Sequence, residues 1–249
     1  MFKVKRKSTG EIHQVLNVHV DDLLHPRYFE CLNQYTAGKP NCVSVVGMDK
    51  QRREVDFSDV KVHSTCGMAL LEDFLYGKIS TGVCGMLIPR HIMTTQNLTF
   101  KEGYKYSEDL HMVWRVFCHA SEVVFIDAPL YIYRDVPGSA MTRINVNRLD
   151  SLYLMKDLET YFSEYKPEFS QQFNQYGIAR MAWSLLWQAA HYLKYADFLA
   201  YIKNYDFDAE LKKLSGFPDK RVTLSAKCFL FSKRVYHFAV SVITKKYRG

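Results

Sequence analysis

Residues Val15 to Pro26 read V-L-N-V-H-V-D-D-L-L-H-P, and this segment indicates the class of fold. Residues 12–20 alternate enough to predict a β-strand, which ends abruptly at Asp21 and Asp22. Pro26 is typical of the first turn of a helix, and apolar residues near helical spacing follow it. Carboxylates at the end of a buried strand lie where open α/β sheets place their ligands. The segment therefore predicts an α/β fold with a candidate site at this strand end.

A second acidic cluster occurs at residues 104–110, which read Y-K-Y-S-E-D-L. Ser107 fits the N-cap of an amphipathic helix that continues to His119, with Glu108 and Asp109 in its first turn. The helix macrodipole favours acids in that turn, so a purely structural role is an equally ordinary interpretation. If folding brings this turn to the edge that carries Asp21 and Asp22, the two clusters supply metal holding and proton abstraction.

Alternating strand and helix patterns continue along the first part of the chain, and helical patterns rich in aromatic residues follow. We therefore predict an α/β portion at 1–145, a helical extension at 146–219 and a basic amphipathic tail at 220–249. The predicted strands are Cys42–Gly47, Arg52–Val60, Val83–Ile88 and a bent pair over Glu122–Tyr133 broken at Pro129. The predicted helices are Pro26–Ala37, Thr65–Tyr76, Leu149–Phe162, Glu168–Tyr195 and Phe198–Tyr205.

Charge is distributed unevenly along the 249 residues, whose formal net charge is +7. Residues 220–249 contain eight Lys or Arg and no Asp or Glu, which leaves residues 1–219 at −1. This balance argues against a general nucleic-acid-binding surface and favours a local contact with anionic lipid.

Six cysteines without C-x-x-C spacing suggest reduced thiols, and hence a cytoplasmic protein. The G-x-S-x-G, P-loop and G-x-G-x-x-G motifs are absent, which argues against common hydrolase, P-loop and dinucleotide sites.

The basic tail carries an apolar stripe if it forms a single helix. The stripe consists of Leu224, Cys228, Phe231, Val235, Phe238 and Val242. Two interpretations remain open: a helix packed on the preceding bundle, and a helix lying in the membrane interface on the inner face of the cell membrane. In the second interpretation the membrane contacts come from Lys227, Phe231, Lys233, Arg234 and Phe238.

Four ordered blocks between Val15 and Arg143 resemble bacterial family 2 glycosyltransferases. The blocks are V-L-N-V-H-V-D-D-L-L-H-P-R-Y-F-E-C-L, G-V-C-G-M-L-I-P-R, F-K-E-G-Y-K-Y-S-E-D-L-H-M-V-W-R-V-F and A-P-L-Y-I-Y-R-D-V-P-G-S-A-M-T-R. The resemblance implies a partial GT-A-like sheet with a C-terminal helical extension. It also implies an inverting transfer of sugar from a nucleotide-sugar donor to a polysaccharide or lipid-linked saccharide acceptor.

The resemblance also implies roles for individual residues. Asp21 matches the acid most directly tied to a divalent cation, Mn²⁺ or Mg²⁺, and Asp22 is the acid beside it. His19 falls where the family usually has its first Asp, and imidazole can also ligate manganese. The catalytic residues would be Asp109, as general base, and its neighbour Glu108. By the same resemblance, the substrate-binding residues near the diphosphate or acceptor cleft are Arg134, Ser139 and Thr142.

The opening residues depart from the family pattern. They read F-K-V-K-R-K-S-T-G-E-I-H-Q, where the family has a first strand of the type S-I-I-I-P-x-Y-N and an acidic D-D-G-S turn that hold the donor nucleotide. We therefore expect an N-terminally incomplete glycosyltransferase. The alternative is a truncated, non-catalytic remnant that acts as a peripheral membrane or interaction protein. A metal-dependent phosphodiesterase is a weaker third hypothesis, because residues 1–219 lack a basic groove.

Overall fold

The computed structural model describes residues 2–5, 12–16, 22–51, 54–134 and 144–246, with side chains described over 22–51, 54–134 and 144–244. The predicted site residues His19, Asp21, Ser139 and Thr142 lie outside the described residues. The chain forms two compact units. Unit 1 contains Met1–Glu102 and Asp109–Pro137, and unit 2 contains Gly103–Glu108 and Gly138–Gly249.

Unit 1 is built on a mixed sheet. Its strands are β1 Phe2–Lys5, β2 Ile12–Leu16, β3 Leu23–Leu24, β4 Cys42–Asp49, β5 Val62–Thr65, β6 Met86–Pro89 and β7 Glu122–Ile132. The strand order is β1-β2-β6-β4-β7-β3, with β5 also paired to β7. Only the β4–β7 pair is parallel among the pairings described, and it forms the centre of the sheet.

Four helices accompany this sheet: α1 Tyr28–Thr36, α2 Gly67–Leu75, α3 Arg90–Thr95 and α4 Glu108–His119. The first five residues of β4 are buried, as expected for a central strand covered on both faces. Tyr28 and Leu32 of α1 pack with Val46 of β4 and with Ile126 and Leu130 of β7 in one core cluster. This packing fixes the start of α1 beside the carboxyl end of β7.

Unit 2 is helical. Its helices are α5 Asp150–Tyr165, α6 Pro167–Tyr192, α7 Tyr195–Ile202, α8 Phe207–Lys213, α9 Lys220–Phe231 and α10 Lys233–Lys246. Aromatic side chains form much of its core: Phe162 lies 5.0 Å from Phe169 and 4.7 Å from Phe173, measured between ring centroids. No helix among the described residues is long and apolar enough to span a bilayer.

Three predictions of local structure were wrong. Glu122–Tyr133 is not a pair of strands, because β7 runs through Pro129 as one strand. The irregularity that replaces the predicted break is a shift of register with β4 at Gly47, where an added Cβ would lie only 3.0 Å from the Ala128 carbonyl oxygen. In the second case, the described part of Arg52–Val60 forms no strand, and β5 at Val62–Thr65 pairs with β7 instead. The third case is the tail, which forms two helices because the chain becomes extended at Ser232, with φ −158° and ψ 115°.

Candidate functional site

Asp22 lies at the edge of the sheet, immediately before β3. Leu23 and Leu24 pair with Ile132 and Tyr131 of β7, so this pairing brings Asp22 beside the end of that strand. The Tyr131 hydroxyl donates to Asp22 Oδ2 at 2.5 Å, and the backbone N–H of Arg134 donates to Oδ1 at 3.1 Å. Tyr131 is fully buried while Asp22 is half-buried. Both carboxylate oxygens are therefore oriented by donors from one strand end.

Cys84 lies next to this carboxylate. The hydroxyl of the buried Tyr28 donates to the Cys84 carbonyl oxygen at 2.7 Å and so fixes the backbone at this position. Burial raises the pKa of the Cys84 thiol, a hydrogen bond with Tyr131 lowers it, and the negative charges of Asp109 and Asp22 raise it further. Asp22 and Asp109 therefore both act electrostatically on one thiol in unit 1. Whether Asp22 and Asp109 line one site remains a prediction, and their shared influence on Cys84 is consistent with it.

Asp109 occupies the first turn of α4 and is exposed. Its Oδ1 accepts the backbone N–H of Leu110 at 2.7 Å, which fits the usual role of an acid at a helix start. From His111 to Cys118 every residue of α4 is buried. The helix is thus anchored in the core of unit 1 while the Asp109 carboxylate remains accessible to solvent, as a group that exchanges protons with a substrate requires.

The segment that leads into α4 is fastened within unit 2. The Ser107 and Ser151 hydroxyls are 2.8 Å apart, and the Lys105 N–H donates to Asp150 at 2.8 Å. The Arg148 guanidinium lies 5.0 Å from the centre of the Tyr106 ring. Ser107 precedes the first residue of α4 as predicted, but its φ of 65° differs from the extended backbone of an ordinary N-cap.

The divalent-cation site remains a prediction. Among the described side chains, no group of three or more His, Cys, Asp or Glu is placed to hold a metal ion. Asp22 is the predicted metal ligand whose side chain is described, and each of its oxygens accepts one hydrogen bond, which leaves further lone pairs. Mg²⁺ is commonly held by one or two carboxylates together with substrate phosphates and water. The residues present fit that mode better than a cage made only of protein ligands.

Arg134 lies beside Asp22 through its backbone, and its side chain is exposed.

Sequence reasoning missed Tyr28, Cys84 and Tyr131, although Cys84 and Tyr131 belong to the G-V-C-G and A-P-L-Y-I-Y-R blocks quoted above. A buried tyrosine near a predicted strand end was the available signal, because a buried phenolic hydroxyl usually finds a hydrogen-bond partner.

The predicted membrane-contact residues lie on α9 and α10 in unit 2. Phe231 and Phe238 are 86% and 69% exposed, and Lys227 and Arg234 are also exposed. Lys233 is different, because its ammonium group pairs with Asp208 and lies 4.3 Å from the centre of the Phe229 ring. Its charge is already partly engaged within unit 2.

The architecture is a partial GT-A-like α/β sheet with a C-terminal helical extension, similar to glycosyltransferase structures, and it confirms the predicted fold class. Three solved structures of Staphylococcus aureus TarS resemble this chain. TarS 1–349 in complex with UDP-GlcNAc matches with a TM-score of 0.56 and 15% identity, and TarS 1–349 alone matches with 0.53 and 14%. Both alignments cover 96% of this chain and 68% of the other.

The third structure, a longer TarS chain, matches with a TM-score of 0.51 and 15% identity over 93% of this chain and 39% of that one. No protein-family model matches the sequence, and no curated protein matches it either. The similarity to solved structures therefore supports a glycosyltransferase-like fold and leaves membership of family 2 a prediction.

Proposed function

We propose that the protein is a glycosyltransferase that moves a sugar from a nucleotide-sugar donor to a polysaccharide or lipid-linked saccharide acceptor with inversion at the anomeric carbon. The observation that carries this proposal is the GT-A-like architecture, in which the Tyr131 hydroxyl and the Arg134 N–H orient the Asp22 carboxylate at the end of β7. The likeness to a TarS structure that contains UDP-GlcNAc supports a nucleotide-sugar as the donor class.

In the proposed reaction, Asp109 accepts the proton of an acceptor hydroxyl as that oxygen attacks the anomeric carbon. A new bond forms between the acceptor oxygen and the anomeric carbon, and the bond from that carbon to the diphosphate oxygen breaks. The electron pair of the broken bond leaves with the nucleoside diphosphate. The exposure of Asp109 supports this role, because the carboxylate must meet an acceptor that arrives from solvent.

Asp22 is proposed to hold a divalent cation, Mn²⁺ or Mg²⁺, together with Asp21, His19 and donor phosphate oxygens. The cation would supply charge neutralisation for the departing diphosphate. Tyr131 and the Arg134 N–H orient the Asp22 carboxylate, so this side chain needs little reorganisation when it binds. Glu108, Arg134, Ser139 and Thr142 complete the proposed site as residues near the acceptor or the diphosphate.

If the acceptor is lipid-linked as proposed, the protein would work at the inner face of the cell membrane. A lipid-linked saccharide lies at a bilayer surface, and the exposed apolar and basic residues of α9 and α10 are suited to such a surface. Glycosyl transfer and membrane contact are separate parts of the proposal, since the proposed base Asp109 and metal ligand Asp22 belong to unit 1, whereas α9 and α10 belong to unit 2.

The test of transfer uses the purified full chain, MnCl₂ and a panel of donors: UDP-GlcNAc, UDP-glucose, UDP-galactose and GDP-mannose. We expect saturable binding of one donor by calorimetry and slow release of its nucleoside diphosphate, with water in place of the acceptor hydroxyl as the attacking oxygen. Asp109→Asn should lower the release rate about 10²- to 10⁴-fold, the usual contribution of a general base, with donor affinity unchanged. The amide retains the side-chain oxygen that accepts the Leu110 N–H.

Asp127→Asn is the matched control, because Asp127 is an exposed acid of unit 1 that is not among the causes of the Cys84 pKa shift. It should bind and react like the unaltered protein. If Asp109→Asn reacts as fast as Asp127→Asn, Asp109 is not the base. If no donor of the panel binds, the proposed function is wrong.

A further inference from the structure

Unit 2 exposes a group of large apolar side chains on α9 and α10, here called the α9–α10 apolar face. They are Leu224 at 65%, Phe231 at 86%, Val235 at 48%, Phe238 at 69%, Val242 at 52% and Ile243 at 42% exposure. Leu224 and Phe231 are seven residues apart and share one side of α9, as Val235 and Val242 do on α10. So many large apolar side chains exposed on two consecutive helices indicate a candidate interaction surface.

The opposite sides of the same helices are firmly packed. Val222, Ala226 and Phe229 of α9 and Tyr236 and Val240 of α10 are buried. The Phe229 and Tyr236 rings meet at 5.3 Å.

Polar contacts also hold the two helices to the rest of unit 2. The Trp183 indole N–H donates to the Ser225 hydroxyl at 2.6 Å, and His237 Nε2 lies 2.9 Å from the Leu193 carbonyl oxygen. The helices are therefore already anchored through one side, and the apolar face is their second side. The packing interpretation of the tail sequence therefore holds for one side of these helices, and the membrane interpretation stays a prediction for the other side.

The charged residues that α9 and α10 themselves carry are all basic. Exposed Lys227 and Arg234 lie on the same two helices, and neither forms an ion pair among the described residues. The sequence from Lys220 to Gly249 contains eight Lys or Arg and no acid. Two copies of so basic a surface repel each other, and lysine is depleted at the centres of protein interfaces. An anionic surface that accepts apolar side chains is the complementary partner.

We propose that the α9–α10 apolar face docks on the anionic surface of a phospholipid bilayer. Phe231 and Phe238 insert at the boundary between headgroups and acyl chains, while Lys227 and Arg234 contact the lipid phosphates. The inference extends the proposed function, because it would hold the enzyme where a lipid-linked acceptor lies. Binding requires no nucleotide-sugar and no working Asp109, so its failure is distinct from failure of the transfer reaction.

The test is flotation of the full chain with vesicles of mixed phosphatidylglycerol and phosphatidylcholine, and with vesicles of phosphatidylcholine alone. We expect binding to the anionic vesicles that weakens as salt is raised, because exposed charges are screened. The double variant F231S/F238S should bind at least about tenfold more weakly, because serine has no apolar ring to insert into the bilayer. The double variant K227E/R234E should lose the preference for phosphatidylglycerol.

Tyr153→Ser is the matched control, since Tyr153 on α5 is an aromatic side chain of unit 2 that is 56% exposed and lies outside the face. It should bind vesicles like the unaltered chain, as should Asp109→Asn. Circular dichroism of each variant verifies that the fold is retained. Equal binding by F231S/F238S and Tyr153→Ser would overturn the proposal. So would a dimer in sedimentation that F231S/F238S dissociates, because that result assigns the face to a second copy of the chain.

Discussion

Helix α4 and the pair α9–α10 have similar patterns of apolar residues in sequence but opposite environments in the structure. From His111 to Cys118, α4 is buried on every side, including His111 and Arg115. Helices α9 and α10 bury one side and expose the other, with Phe231 the most exposed large apolar side chain described. An apolar stripe therefore predicts a helix in both cases without indicating whether the stripe faces the core or a partner.

The difference also separates the proposed tasks of the two units. In unit 1, α4 holds the Asp109 carboxylate on a rigid, fully packed base, which suits a group that must be positioned against a substrate. In unit 2, the exposed side of α9 and α10 carries little of the packing and suits contact with a surface. Paired substitutions in the two regions test this division.

The largest expected effect on stability comes from truncating one phenylalanine in α4 and comparing it with the same truncation in α9. Phe117 of α4 is 1% exposed, and its ring lies 5.1 Å from Phe74. Phe117→Ala should reduce the free energy of unfolding by about 3–5 kcal/mol, through lost burial and the cavity that remains. Phe231→Ala should change it by less than about 0.5 kcal/mol, as for an exposed position. Urea denaturation followed by circular dichroism measures both.

Comparable losses for the two alanine variants would contradict the comparison. They would mean that Phe231 is covered in solution, either by its own chain or by a second copy. Repeating the Phe231→Ala measurement over a range of protein concentrations separates these cases, because only association depends on concentration.

A smaller effect is expected at the carboxylate of Asp22. Asp22→Ala removes the charged acceptor of the Tyr131 hydroxyl and the Arg134 N–H, and should cost about 1.5–3 kcal/mol of unfolding free energy. Tyr131→Phe removes one of the two bonds and should cost less. The double variant should be more stable than the sum of the two single losses predicts, because both variants remove the same bond. Additive losses would show that this bond contributes little to stability.

Much of the fold could be predicted from local pattern. Proline at the start of α1, and glycines after α1 and α2, mark those helices to within two residues of their observed bounds. The strand β1 escaped prediction because Phe2–Lys5 reads as a charged opening, and its pairing with β2 is a long-range property. The break at Ser232 carries no proline or glycine, so the sequence suggested one helix where the structure has two.

The candidate site was predictable only in part. Asp22 and Asp109 stand at element boundaries, where local pattern marks them as candidates. The register of β3 on β7 places Tyr131 beside Asp22, and packing against α1 places Cys84 near it. Residue spacing along the chain predicts neither the register nor the packing. Long-range pairing therefore decided which neighbours the two acids have.

The most direct test of the central claim, that Asp22 and Asp109 act on one site, is the titration of Cys84. The ¹³Cβ shift of labelled cysteine, assigned with Cys84→Ser, reports the pKa of this thiol in the full chain. Asp109→Asn should lower that pKa, because removal of a nearby negative charge favours the thiolate, and Asp127→Asn should leave it unchanged. An unchanged Cys84 pKa in Asp109→Asn would place Asp109 away from the site and contradict the account.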